Sequence, residues 1–457
     1  MLKINKKHIN PESFIALVLA VAPILQHYKG IYENAGFTAI MLAAVFLFYK
    51  LFFAAKQVVE TKSVTRLQKD RLLAAVPILL FLGYTAINRG FSFSRILYAG
   101  FFGLVYIAIA MDCVDLKRVL QYAFYICCAA TVVLLIQYFC YYVIRFKLQV
   151  IPVKLLHAES ERWVERSTST KIGGFYRPSG FFLEPSHVFL YFFPTIAFLL
   201  FMPKNNLRRQ IMAMILSMGV VLSTSGMGIA VVVGLWGIYI LLYSAKGNKE
   251  NKPQFSNLLT KRTLIIIAVF LCVLIVAYFA VDTVRNAVNR IFVNDSGSTA
   301  IAGRVRRAMN HLKKMPAKNL IFGYSNDVEV SKFDFNVSGF FATLFKQGIV
   351  GIILSYWFYL RGLRNMHSAN FWYTLVIVFV SFFAAHTHGT FYMLFFICFQ
   401  MYGYETEGEP MPVLTEKFTG NIKNKMLSLW QKMLSWLASK WEKLKIWFNS
   451  KRGNIKK

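Results

Sequence analysis

Charge is scarce in this chain, and negative charge scarcer still. Only 16% of the 457 residues are charged, and 52 Lys and Arg face 21 Asp and Glu, a net charge of +31. A soluble protein of this length carries more surface charge than that. The usual cofactor signatures are missing too: there is no Walker loop, no dinucleotide glycine pattern, no HExxH and no EF-hand spacing. That argues against ATP-driven or NAD-dependent chemistry housed in the chain. No aspartate pair of the DxD kind lies in the polar loops, which argues against a metal-dependent sugar-nucleotide transferase. Cysteines number six (Cys113, Cys127, Cys128, Cys140, Cys272, Cys398), all in or beside apolar runs. They read as structural thiols, not as a disulfide frame or a metal site. No short-period repeat is visible.

What the chain has in abundance is apolar sequence, 56% of residues. Continuous apolar runs, each near the length that crosses about 30 Å of hydrocarbon, predict membrane-spanning helices; a barrel would alternate. Spans are expected at roughly 13–28, 36–55, 72–88, 93–111, 119–144, 186–202, 210–223, 226–243, 263–283, 339–360, 371–385 and 391–404. This is an all-α, polytopic membrane protein of about 12 transmembrane helices, organised as a helical domain over 1–404 and a tail over 405–457. The first span follows a basic stretch without a small-residue cleavage site and reads as an anchor.

The positive charge has a side. Lys3, Lys6, Lys7, the run from Lys56 to Arg71, Lys117, Arg118, Lys204, Arg208, Arg209, the run from Lys246 to Arg262, Arg361 and Arg364 fall in alternate connections. Short connections on the other side nearly lack Lys and Arg. By the positive-inside rule both termini are cytoplasmic. Two long loops at about 145–185 and 284–338 fall outside, with seven basic against four acidic residues and nine against four. The location of the charge thus points away from nucleic acid and toward anionic chemistry at the outer face. After Glu405, Glu407 and Glu409, Trp430, Met433, Leu437, Trp441, Leu444 and Phe448 share one face of a basic helix. That pattern suits a helix lying in the inner headgroup layer, with docking to a partner protein as the alternative.

The first loop ends Gly173-Gly174-Phe175-Tyr176-Arg177-Pro178-Ser179-Gly180-Phe181-Phe182-Leu183-Glu184-Pro185-Ser186-His187. Its glycines and prolines predict a turn-rich approach to the sixth span. Arg177, Glu184 and His187 are then expected near the outer mouth of the bundle, where an ionisable group is costly unless paired or functional. Two readings stand: an Arg177–Glu184 ion pair closing the loop, or a phosphate-binding arginine beside a carboxylate able to take a hydroxyl proton. In the second loop, Arg304, Arg307 and His311 share a helical face. Guanidinium groups in a row suit bidentate contact with diphosphate oxygens; a solvated basic face is the other reading. Ser223-Thr224-Ser225-Gly226 is a tight turn whose hydroxyls read as helix caps. His386 and His388 lack an evident third ligand for zinc. Lys346 and Arg95 are intramembrane cations that either line the same cavity or snorkel outward.

These motifs together carry a resemblance. Arg177-Pro-Ser-Gly-Phe-Phe-Leu-Glu-Pro, the Ser-Thr-Ser-Gly turn, Gly303-Arg304 followed by Asn319-Leu320-Ile321-Phe322-Gly323, and Lys346-Gln347-Gly348-Ile349-Val350-Gly351 occur in that order. Over roughly 90–400 the chain resembles the O-antigen polymerase (Wzy-type) and O-antigen ligase superfamily. That implies a GT-C-like glycosyltransferase which moves glycan from undecaprenyl diphosphate at the outer face of the bacterial cytoplasmic membrane, with no nucleotide or metal cofactor. Ligases of that superfamily usually show a His-Asn pair where Phe335-Asn336 stands here, and Lys346 stands where an acidic residue is common. These departures favour a polymerase of lipid-linked repeat units for capsule, exopolysaccharide or O-antigen. Ligase, flippase and noncatalytic assembly protein are the alternatives. The implied roles are Glu184, His187 and His311 for proton transfer, and Arg177, Arg304, Arg307 and Lys346 for the diphosphate. The implied partners are undecaprenyl-diphosphate-linked oligosaccharide, membrane lipids and a chain-length regulator protein.

Overall fold

The structure is a computed structural model. It describes residues 11–31, 34–61, 65–88, 93–157, 160–161, 177–202, 207–244, 279, 307–324, 338–364, 368–382, 384, 389–405 and 435. The expected span at 263–283 apart from Phe279, Arg304, the Phe335-Asn336 pair, His386, His388 and the tail helix apart from Ser435 lie outside the described residues. Nearly everything described belongs to one compact unit made of 1–240 and 259–411; a second unit comprises 241–258 and 412–457.

The regular structure of the described residues is helical, apart from isolated bridges at Tyr28–Leu156 and Lys29–Asn34. In chain order the helices are α1 (Pro11–Leu25), α2 (Ala35–Thr61), α3 (Arg66–Ile87), α4 (Phe93–Ala110), α5 (Leu116–Phe139), α6 (Pro185–Phe201), α7 (Leu207–Leu222) and α8 (Gly226–Ser244). Within the second loop lies α9 (Ala317–Phe322), and beyond the loop come α10 (Gly339–Arg361), α11 (Ala369–Ser381) and α12 (Thr390–Glu405). Among the described residues, five stretches are long and apolar enough to cross a membrane: Ala35–Gln57, Arg66–Ile87, Phe93–Ala110, Leu116–Ile144 and Gly339–Arg364. Four shorter apolar helices accompany them: Pro11–Leu25, Pro185–Phe201, Gly226–Ile240 and Ala369–Ser381.

Helix boundaries have local causes. Thr65 and Gln68 form a reciprocal capping box at the start of α3, and the side chains of Asp115 and Ser368 cap α5 and α11. α6 opens with Pro185, whose missing N–H is no loss in a first turn. Almost every residue of α6 and α12 is buried, so these two apolar helices form the centre of the bundle. α2 instead turns Phe46, Phe48, Tyr49, Phe52 and Phe53 outward. Such a continuous apolar face is costly in water and favourable against lipid.

Short connections alternate the helices, so polar groups collect at two ends. One end holds the charge pairs. Lys50 in the second half of α2 reaches Glu12 at the start of α1 (2.7 Å), and Arg364 reaches Asp70 (3.4 Å). Arg118 contacts Asp115 (2.8 Å) and donates to the Ser13 hydroxyl (2.7 Å). At the middle of that end Arg71, fully buried, pairs with Asp112 (2.8 Å) and Glu405 (3.1 Å) and donates from Nε to the Met401 carbonyl (3.2 Å). One guanidinium therefore joins α3, the α4–α5 turn and α12. The other end carries the loops.

Candidate functional site

At the loop end, α5 loosens into a π-helical turn at Cys140–Ile144, and Arg145 reverses the chain in left-handed conformation (φ 59°). Gln137, buried one turn earlier, then fastens the first loop. Its Nε2 donates to the Leu148 carbonyl (3.2 Å), while its Oε1 accepts the Gly180 N–H (2.9 Å). One amide thus ties the loop's departure to its return. The stretch between is fixed to the end of α1: Lys29 N–H donates to Leu155 O (2.8 Å) and His157 N–H to His27 O (3.1 Å). Arg177 is exposed where the described chain resumes, and a turn closed by Phe182 N–H on Ser179 O (2.9 Å) leads into α6.

That turn delivers Glu184 to the N-cap of α6 in extended conformation (φ −147°, ψ 160°). Its carboxylate does not cap the helix. It accepts from the Ser186 hydroxyl and lies 3.6 Å from His187 Nε2. The two side chains differ in access: Glu184 is 21% exposed and His187 2%. Behind them, Tyr392 of α12 donates to the His187 carbonyl (3.4 Å), and His27 stacks on the His187 ring, centroids 4.9 Å apart and planes 9° from parallel. Glu184 and His187, expected near one another, do meet; His27 and Tyr392 are additions.

The second loop returns through a helical turn at 307–312 that lays one side on α10. Ala308 and Met315 are buried with Phe341, Leu344 and Phe345, and the His311 ring meets Phe345 edge-on (5.5 Å). Arg307 faces away, exposed. α9 then runs into Gly323, and α10 breaks beside it at Gly348 (φ 66°, ψ −167°). The break removes the usual i+4 donors from nearby carbonyls, which other groups supply. Tyr324 N–H donates to Phe345 O (2.7 Å), Asn88 Nδ2 to Lys346 O (3.4 Å) and Tyr84 OH to Gln347 O (3.0 Å). Tyr84 and Asn88 both also donate to Phe322 O, each at 2.8 Å. The end of α3 therefore clamps the α9–α10 crossing, with half-buried Lys346 in its midst. Two motifs read separately in the sequence, Asn319–Gly323 and Lys346–Gly351, are one contact.

In the Ser223-Thr224-Ser225 turn, Ser223 Oγ donates to Val220 O (2.7 Å) and Ser225 Oγ accepts from Gly228 N–H (3.3 Å), in keeping with capping. Gln137, Tyr84 and Asn88 carry no motif. The signal available was their position, polar groups at the ends of apolar runs. No protein-family model matches the chain, and neither does any curated protein.

Proposed function

We propose that the chain is a membrane glycosyltransferase of GT-C type, with about 12 spans, that polymerises undecaprenyl-diphosphate-linked oligosaccharide repeat units. The setting is the outer face of a bacterial cytoplasmic membrane, with both termini inside and the loop end outward. The product is capsule, exopolysaccharide or O-antigen. One observation carries the reading: among the described residues, the motifs that resemble the polymerase superfamily gather at a single end of the bundle. There Gly323 crosses Gly348, and Glu184 meets His187 where α6 begins.

In this mechanism the growing chain on its lipid diphosphate is the donor, and a new lipid-linked unit is the acceptor. The acceptor hydroxyl oxygen bonds to the donor's anomeric carbon as the bond from that carbon to the diphosphate breaks. Undecaprenyl diphosphate leaves with the electron pair, and the hydroxyl proton passes to Glu184. Glu184 suits the role because its carboxylate is partly open while His187 stands behind it. Arg177 and Arg307, both exposed on the two loops, together with Arg304 and Lys346, hold the charge that develops on the diphosphate. His311, packed on Phe345, seats the second loop against α10. The diphosphate is itself the leaving group, so the scheme calls for no nucleotide.

The test is purified protein with lipid-linked repeat units. Lengthening of the product supports a polymerase, transfer to lipid A core a ligase, and movement without covalent change a carrier. Arg177→Ala and Arg307→Ala should abolish long polymer while single units accumulate. Normal polymer length in both, at normal protein levels, rejects the assignment. Full polymerisation by Glu184→Gln removes that residue from the base role.

A further inference from the structure

His27 stands just past the end of α1, 160 positions before its ring partner in the sequence. Its ring lies flat on that of His187, and its carbonyl is held by His157 N–H (3.1 Å). His27 also lines a narrow apolar cleft with Ile24, Tyr28, Phe181, Phe182 and Leu183. His27 therefore belongs both to the cleft wall and to the stacked pair with the imidazole beside Glu184. Titratable or charged groups on the surrounding elements include Glu184 and Tyr191 on α6, Tyr392 and the distant Glu405 on α12, the distant Glu12 on α1, Tyr28 and Lys29 after α1, and Lys154 and His157 on the loop. The Tyr191 hydroxyl is engaged by the Ala20 carbonyl (2.7 Å).

We infer that His27 is a positioning residue for the Glu184–His187 pair: its ring fixes the plane of His187, and its positive charge, when present, opposes a second charge on the stacked ring. Two imidazoles face to face resist double protonation, so their protons are taken up as a coupled pair. His187 then stays neutral to lower pH than it would alone. A neutral His187 adds no second positive charge 3.6 Å from the carboxylate that takes the proton. The inference rests on the reading in which Glu184 takes the acceptor's proton, and it adds what controls that group.

His27→Phe keeps a flat ring on His187 and removes the titrating nitrogens. With His187 free to charge at higher pH, the acid limb of the variant's rate profile moves upward in pH. Lengthening of lipid-linked units should be about tenfold slower than wild type at pH 6 and near wild type at pH 8. His27→Gln, which loses the ring, should be slow at both. A second readout needs no turnover: exchange of the His187 C2 proton, followed by mass spectrometry across pH, reports that ring's own titration. Its midpoint should rise in both variants. An unchanged midpoint overturns the inference even where activity falls. Should wild type fail to lengthen any lipid-linked unit, the polymerase reading fails while the exchange experiment still decides the coupling.

Discussion

Gly323 and Gly348 cross backbone to backbone: a Cβ on the first would overlap the Lys346 carbonyl, and one on the second the Ile321 carbonyl. Both also sit at dihedrals open in practice only to glycine, φ 84° and ψ 174° at Gly323, φ 66° and ψ −167° at Gly348. Two independent constraints, steric and torsional, thus coincide on each residue.

Alanine at either position should cost about 1–3 kcal/mol from the backbone dihedral alone, with the overlap added. Gly100→Ala and Gly234→Ala, where an added methyl meets nothing within 4 Å, should leave stability unchanged or raise it slightly. Thermal unfolding in detergent separates the two sets. Equal melting temperatures for all four variants would contradict the crossing.

The Arg71 knot makes a directional prediction. Removing both of its acids, as Asp112→Asn with Glu405→Gln, strands a buried guanidinium and should cost about 3–5 kcal/mol. Arg71→Met removes the charge and keeps much of the volume, so it should cost less, because its two acids are each at least half exposed. Asparagine tolerates the positive φ of 63° at position 112, which keeps the comparison clean. The idea fails if the methionine variant is the less stable one.

Gln137→Leu fills a similar space but leaves the Leu148 carbonyl and the Gly180 N–H without the amide between them. A loss of about 1–3 kcal/mol is expected. Limited proteolysis should show faster cleavage within 145–180 while the bundle resists. Cleavage at the wild-type rate would mean that the amide does not hold the loop.

Burial pushes the Cys113 thiol above its usual range, partly offset by Lys50 and reinforced by Asp112. The thiol therefore stays protonated at neutral pH, and only the thiolate attacks a maleimide. Labelling in folded protein at pH 7 should be slow and should rise with pH beyond the point where a free cysteine levels off. Labelling as fast as an unfolded control at pH 7 would refute this.

Much of the helical framework was legible because an apolar run records its own length. The run expected at 93–111 is the helix Phe93–Ala110, and that at 186–202 is Pro185–Phe201. Ends drifted where polar residues remain helical. α2 runs on to Thr61 past the expected 55, through Lys56 and Glu60, which pair one turn apart (3.8 Å). The break at Gly348 was not legible, since its cause is a backbone arriving from Ile321 and Gly323. The pairing of Glu184 with His187 is local, three residues apart, and could be anticipated from a turn leading into a helix. His27 could not, because its partner is distant in sequence. Arg71 was read simply as one of many charges on the inner side; its burial depends on carboxylates from two other helix ends.

That last arrangement bears on how the molecule is made. The guanidinium of Arg71 precedes Asp112 by 41 residues and Glu405 by 334. A nascent chain acquires the first carboxylate early and the second only when α12 has been synthesised. Until then the cation has half its neutralising shell, and the bundle has an unfinished seam at that end. A truncation just upstream of Glu405 would leave that contact unclosed, handing the membrane's quality-control proteases a chain whose buried guanidinium lacks one of its two carboxylates.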